Sequence, residues 1–217
     1  RGGNLPCVLE AARVAISAGA GGITVHPRPD QRHIRPSDVR DLAKLVANKV
    51  EFNIEGNPFA PARDEYPGLL SLVKETRPTQ VTLVPDSDGQ ITSDHGFNLL
   101  HDRERLRDVI AALKPYCERV SLFVDQDVEN LPLALETGAS RIEIYTGPFA
   151  ESFENGDVNS TLEKCKHTAQ HAESLGLGIN AGHDLNQKNL IPFLAALPMT
   201  REVSIGHALF NDALYDG

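Results

Sequence analysis

The sequence predicts an α/β fold of the (β/α)8 barrel class, a TIM barrel, on three observations. Apolar, β-branched runs alternate with helical patterns from end to end, which makes a parallel sheet joined by right-handed crossovers. Nearly every run ends in a polar, ionisable tip. Three stretches, Ala15 to His26, Ala134 to Gly147 and Ala172 to His183, repeat one unit of helix end, glycine, strand and polar tip. A doubly wound open sheet fits the alternation too, but it concentrates its functional loops near one switch point. A barrel gathers all its βα loops at one face, and the many polar tips favour it.

The first predicted helix runs from Pro6 to Ser17. Val8, Leu9, Ala12, Val14, Ala15 and Ile16 give it a broad apolar face, and Gly19 is its stop. The strand over 21–27 follows, β-branched at Ile23, Thr24 and Val25. It leads into a loop holding His26, Arg28, Asp30, Arg32 and His33, after which Pro36 is placed as the first residue of a helix reaching Asn48. The next strand, Val50 to Glu55, ends in Glu55-Gly56-Asn57-Pro58. A short helix over 68–75 stops before Pro78, and the strand Gln80 to Val84 ends at Pro85-Asp86. A polar loop to about residue 98 precedes the helix Leu99 to Leu113 and the strand Arg119 to Asp125. Glu129 to Glu136 is helical, Arg141 to Tyr145 a strand, and Asn159 to Ser174 a helix stopped by Gly176. The strand Leu177 to Ala181 ends Gly182-His183-Asp184. Leu190 to Leu197 is helical, and the last strand, Glu202 to Ile205, ends Gly206-His207. Seven strands are read where a barrel has eight. The reading therefore expects one strand upstream of Arg1 and a closing helix beyond Gly217, in a single domain over 1–217 with no linker or low-complexity run.

A chain of 217 residues that is 41% hydrophobic buries a sizeable core. Its net charge of −9 argues against nucleic acid or an anionic membrane as partner, so any phosphate site must be local. No run approaches the ~18 apolar residues of a membrane span, and no signal peptide is read. Cys7, Cys117 and Cys165 are odd in number and far apart. That suits a reducing cytoplasmic setting and indicates no zinc cluster.

His26, Glu55, His183 and His207 all fall at predicted strand ends. Three imidazoles and a carboxylate there are what acid–base chemistry near neutral pH requires. Asp86, Asp125 and Glu143 also lie near strand ends, where capping a loop is the better reading of each. Arg28 and His33 share the first tip, and a guanidinium fork suits a phosphate or carboxylate. Gly182 and Gly206-His207 close the final strands, where barrels often hold phosphate through backbone N–H groups. The loop from Asp86 to Gly96 is long enough to act as a lid. No metal is expected: His26-x-Arg28 has no partner at ligand spacing.

These residues resemble the pyridoxine 5′-phosphate synthase family, of the deoxyxylulose-phosphate-dependent route to vitamin B6. The matching stretches are Gly22-Ile-Thr-Val-His26-x-Arg28 with Arg32-His33-Ile34, Asn53-Ile-Glu55, Leu83-Val-Pro85, Ile91-Thr92, Val120 to Asp125, Ile142-Glu-Ile, Ser174-Leu-Gly-Leu, Asn180-Ala-Gly-His183 and Ile205-Gly-His207. They run the length of the chain in one order. The resemblance implies a (β/α)8 barrel, assembled as a homo-oligomer (an octamer), that condenses two small phosphorylated substrates. These are 1-deoxy-D-xylulose 5-phosphate and 3-amino-2-oxopropyl phosphate, and no metal or organic cofactor is implied. By the same resemblance His26 and Glu55 are proton acceptors and His183 a proton donor. Arg28, His33 and Thr92 belong to the deoxyxylulose-phosphate site, and Arg1, Gly206 and His207 to the amino-ketone phosphate site. Asp184 stands at a further position of that second site, where the family usually has glycine, and an anion there repels a phosphate. Tyr145 stands where the family usually has histidine. An Asn-x-Asp-His segment on the family's first strand is expected before Arg1.

Two other readings fit the residues. One is a different sugar-phosphate barrel enzyme; a Schiff-base aldolase would want a Lys at a strand end, and the seven strands offer none. The other is a non-catalytic homologue that only binds a sugar phosphate, for which Asp184 is the best support.

Overall fold

The computed structural model describes residues 7–216. In chain order the elements are α1 (Val8–Ser17), β1 (Gly22–Val25), α2 (Pro36–Val46), β2 (Glu51–Gly56), α3 (Leu69–Thr76), β3 (Gln80–Leu83), α4 (Leu99–Leu113), β4 (Arg119–Val124), α5 (Pro132–Glu136), β5 (Arg141–Tyr145), α6 (Gly147–Glu154), α7 (Asn159–Ser174), β6 (Gly178–Gly182), α8 (Leu190–Ala196), β7 (Thr200–Ser204) and α9 (His207–Asp216). The chain divides into two compact units, Arg1–Gly89 with Ala111–Val120 and Gln90–Ile110 with Ser121–Gly217. It passes from one to the other after Gly89, inside α4 and inside β4.

The first unit holds β1, β2 and β3, parallel and in sequence order. Their registers set Val25 opposite Ile54 and Ile54 opposite Val81. Side chains alternate along a strand, so this apolar row and its neighbours Phe52 and Leu83 occupy one face. Val39, Leu42 and Val46 of α2 and Leu72 and Val73 of α3 are buried with them. The opposite face is polar and buried as well: Asn53 donates from Nδ2 to Thr24 Oγ1 at 3.3 Å and to Thr82 Oγ1 at 3.0 Å. Burial on both faces is the mark of a parallel sheet covered by helices. At the start of α2, Pro36 takes the first helical position, and the Asp38 carboxylate accepts the Arg35 N–H at 2.8 Å.

The second unit repeats the arrangement with β4, β5, β6 and β7, again parallel and in sequence order. Leu122, Val124, Ile142, Ile144, Ile179 and Ala181 form its buried apolar face. Across the polar face, Arg141 Nη1 donates to Asn180 Oδ1 at 2.9 Å and to Glu202 Oε2 at 3.0 Å. Parallel strands in sequence order, each joined to the next through helix, are the (β/α)8 barrel class that the sequence predicts.

Two elements correct the sequence reading. No element is expected between Tyr145 and Asn159, yet α6 begins at Gly147 with Pro148 in its first turn. Phe149 packs against Phe153 and Phe193, with ring centroids 6.0 and 5.1 Å apart, and gives α6 its buried face. The chain past Gly206 is also unread, and it forms α9.

Candidate active site

In the first unit, strand parity runs through β2 and continues one residue past β1. His26 lies on the polar side with Thr24, and Glu55 on the same side as Asn53. His26 Nδ1 is 3.3 Å from Glu55 Oε1, and His26 Nε2 is 3.4 Å from Asp86 Oδ2. The same Asp86 oxygen is 2.5 Å from Arg28 Nη2. Arg28 and Asp86 are each only 7% exposed. A neutral imidazole has one N–H and one lone pair, and a carboxylate only accepts. Each nitrogen of His26 faces a carboxylate, Glu55 on one side and Asp86 on the other. Asn57 fixes the loop behind it, donating from Nδ2 to the Asp86 carbonyl at 2.6 Å and accepting the Phe59 N–H at 2.7 Å. His26, Arg28, Asp86, Arg32 and Asn57 open onto a small cleft. At its rim Arg63 grips Asp88 through two hydrogen bonds, 2.8 and 2.5 Å, and holds the Asp88 carboxyl below its ordinary range.

In the second unit, β6 ends at Gly182 and the chain turns sharply. His183 has φ 88° and Asp184 φ 58°, two consecutive side-chain-bearing residues in the left-handed region. The turn is fixed from both sides. Thr146 Oγ1 lies 2.6 Å from the Gly182 carbonyl and 2.5 Å from that of His183, and Asn189 Nδ2 donates to the Asp184 carbonyl at 3.1 Å. The His183 ring sits between Asp184 Oδ2, 2.7 Å from Nδ1, and Thr92 Oγ1, 2.8 Å from Nε2. Tyr145 meets the same ring edge-on, centroids 5.2 Å apart at 84°. Burial, and then the charges of Asp184, Asp94, Asp125 and Glu151, push the Tyr145 hydroxyl above its ordinary value. Glu143 is buried on β5, and a Cβ at Gly182 would run into its carboxylate. Gly182 is thus the residue that admits Glu143 beside the turn.

The structure brings His26, Glu55 and Arg28 together in the first unit, and His183, Thr92 and Asp184 together in the second. His33 is exposed on the bend before α2, outside the lining of the cleft. Gly206 and His207 are exposed at the start of α9, where the Gly206 carbonyl accepts the Leu209 N–H at 3.1 Å. Arg1 lies outside the described residues. Asp125 caps a loop as expected, accepting the Gly96 N–H at 2.9 Å. The capping reading is corrected for two others. Asp86 is a buried partner of Arg28 and His26, and Glu143 is a buried side chain of β5. Among the described residues no group of three or more His, Cys, Asp or Glu side chains is arranged to hold a metal ion, and no helix is long and apolar enough to cross a membrane.

Among solved structures, the Amycolatopsis orientalis BexX/CysO complex aligns with a TM-score of 0.60 at 15% identity, over 93% of this chain and 76% of that one. A phosphoribosylanthranilate isomerase from Thermotoga maritima aligns with a TM-score of 0.54 at 14% identity, over 91% and 81%. At such identities the likeness speaks for the fold. Fold and strand-end chemistry together define a (β/α)8 barrel with acid–base groups at its strand ends. A family model described as "Pyridoxal phosphate biosynthesis protein PdxJ" matches residues 1–217. The pyridoxine 5′-phosphate synthase of Xanthomonas axonopodis pv. citri (strain 306) is 58% identical over 218 residues, covering 100% of this chain and 86% of that protein. That of Xylella fastidiosa (strain 9a5c) is 56% identical, covering 100% and 84%. The chain belongs to the PdxJ family and is an enzyme of vitamin B6 biosynthesis.

Proposed function

We propose that this enzyme is a pyridoxine 5′-phosphate synthase. It condenses 1-deoxy-D-xylulose 5-phosphate with 3-amino-2-oxopropyl phosphate and releases pyridoxine 5′-phosphate, inorganic phosphate and water. The observation that carries the reading is the His26–Glu55 contact of 3.3 Å, with Asp86 at the other ring nitrogen, in a chain 58% identical to a protein of that name.

The chemistry asks for such a set. Amine and ketone first lose water to form an imine. Proton shifts from carbon, loss of phosphate and a second loss of water then close and aromatise the ring. Each step takes a proton from one atom and gives it to another, so groups that accept and groups that donate must serve one substrate. Glu55 and His26 are the acceptors in this reading: a proton taken by Glu55 passes to His26 and leaves through it. His183 is the donor, protonating departing oxygen from Nε2. Arg28, kept in place by Asp86, anchors the deoxyxylulose phosphate. Gly206 and His207 hold the amino-ketone phosphate, with the start of α9 supplying N–H groups to the anion. The chain works as a single domain in a cytoplasmic homo-oligomer.

Incubating the protein with both substrates tests the reading. Pyridoxine 5′-phosphate absorbance and inorganic phosphate should rise together in a one-to-one ratio. Binding of deoxyxylulose phosphate without turnover would contradict it and favour a protein that only binds a sugar phosphate.

A further inference from the structure

Asp184 engages His183 at the nitrogen that faces away from Thr92. Its Oδ2 lies 2.7 Å from Nδ1, while Nε2 lies 2.8 Å from the Thr92 hydroxyl. A carboxylate can only accept, so Nδ1 carries the hydrogen. Nε2 is then the nitrogen left to exchange a proton. It accepts from the Thr92 hydroxyl when the ring is neutral and donates when the ring is charged. The backbone is bent to allow this. Asp184 sits at φ 58°, a region that glycine occupies freely and an aspartate only at a cost. The Thr146 and Asn189 side chains hold the three carbonyls of the turn in that shape. A phosphate contact does not explain the residue, because its charge repels a phosphate and its oxygen is already taken up by the ring.

We propose that Asp184 is a positioning residue that fixes the Nδ1–H tautomer of His183, so that Nε2 is the nitrogen that hands a proton to the substrate. The inference rests on the reading of His183 as proton donor. In the step it supports, the N–H bond at Nε2 breaks, its electron pair stays on the ring, and the proton goes to the departing oxygen. Nδ1 keeps its hydrogen throughout, donating it to Asp184 Oδ2. The arrangement matches the general device in which a carboxylate on one imidazole nitrogen selects the tautomer and orientation of the other.

The test uses the full protein with ¹⁵N-labelled histidine, His183→Gln identifying the His183 signals. Wild type should show hydrogen on Nδ1 and a bare Nε2 in the neutral ring. Asp184→Gly, which has no acceptor, should lose that preference. In turnover Asp184→Gly should lose roughly 10- to 100-fold in kcat, the range that such outer partners carry, with KM nearly unchanged. Asp184→Asn, whose amide can turn an N–H toward Nδ1, should lose rate as well. The thermal midpoint of Asp184→Gly should hold or rise, since glycine relieves the φ strain, so a loss of rate is not a loss of fold. An unchanged tautomer in Asp184→Gly, or a wild-type kcat in that variant, would overturn the proposal. Failure of the wild type to make pyridoxine 5′-phosphate would sink the proposed function instead. The ring signals would still decide the role of Asp184.

Discussion

Arg28 Nη2 stands 2.5 Å from Asp86 Oδ2, and both side chains are more than nine-tenths buried. A guanidinium in that position cannot be left alone cheaply. Removing one member of a buried ion pair leaves an uncompensated charge and costs about 3 kcal/mol or more. Asp86→Asn should therefore lower the free energy of unfolding by about that much, measured by chemical denaturation. It should also weaken deoxyxylulose-phosphate binding, because Arg28 loses the group that aims it. Unchanged stability would show that Arg28 is held by other means.

Gly96 is fixed by its surroundings. A Cβ there would lie 2.5 Å from Val124 Cα and 2.5 Å from the Asp125 nitrogen, and backbone cannot yield as a side-chain tip can. Gly96→Ala should destabilise the protein by about 1–3 kcal/mol, the ordinary cost of overpacking, and shift the loop that carries Thr92. Gly89→Ala is the control. A Cβ at Gly89 meets nothing within 4 Å, so its thermal midpoint should match wild type.

Burial pushes the Cys165 thiol from 9.0 up to about 12, and the Tyr66 hydroxyl from 10.0 up to about 12. A folded value above the unfolded one means that the folded state keeps its proton while the unfolded state loses it. The stabilisation is full below about 9 and is lost as pH rises toward 12. Unfolding temperature should fall steadily across that window, and Cys165→Ala should make the fall shallower. In the native protein near pH 8, Cys165 should resist a thiol reagent until denaturant is added.

Much of the fold was legible because period and punctuation agree. Val39, Leu42 and Val46 mark the face of α2, Pro36 its start, and the strand runs end where the polar tips begin. The unread helix α6 follows a strand directly with Gly147-Pro148, a pair that reads as a turn. The missed signal was proline's preference for a first helical turn, with Phe149 and Phe153 one turn apart. In α9 the large apolar residues Leu209, Phe210, Leu214 and Tyr215 are exposed, so no buried stripe announces a helix.

Site residues were legible where a histidine or arginine stands at a strand end, and less so for acids. Arg141, Glu143 and Tyr145 alternate with Ile142 and Ile144, which by period alone puts the polar set toward water. In a barrel that set points inward, and Glu143 is buried. Asp86 was misread for a similar reason. Its partners Arg28 and His26 come from the residues just past β1, some sixty residues earlier in the chain, and no spacing within one segment reveals them.

The central claim is that Glu55, beside His26, takes protons from the substrate. The most direct measurement is the steady-state rate of Glu55→Gln with both substrates. Glutamine keeps the shape and a hydrogen-bonding oxygen while removing the base. The account predicts an unfolding transition like that of wild type and a kcat lower by about 10²–10⁴-fold. A Glu55→Gln enzyme that turned over at the wild-type rate would contradict it.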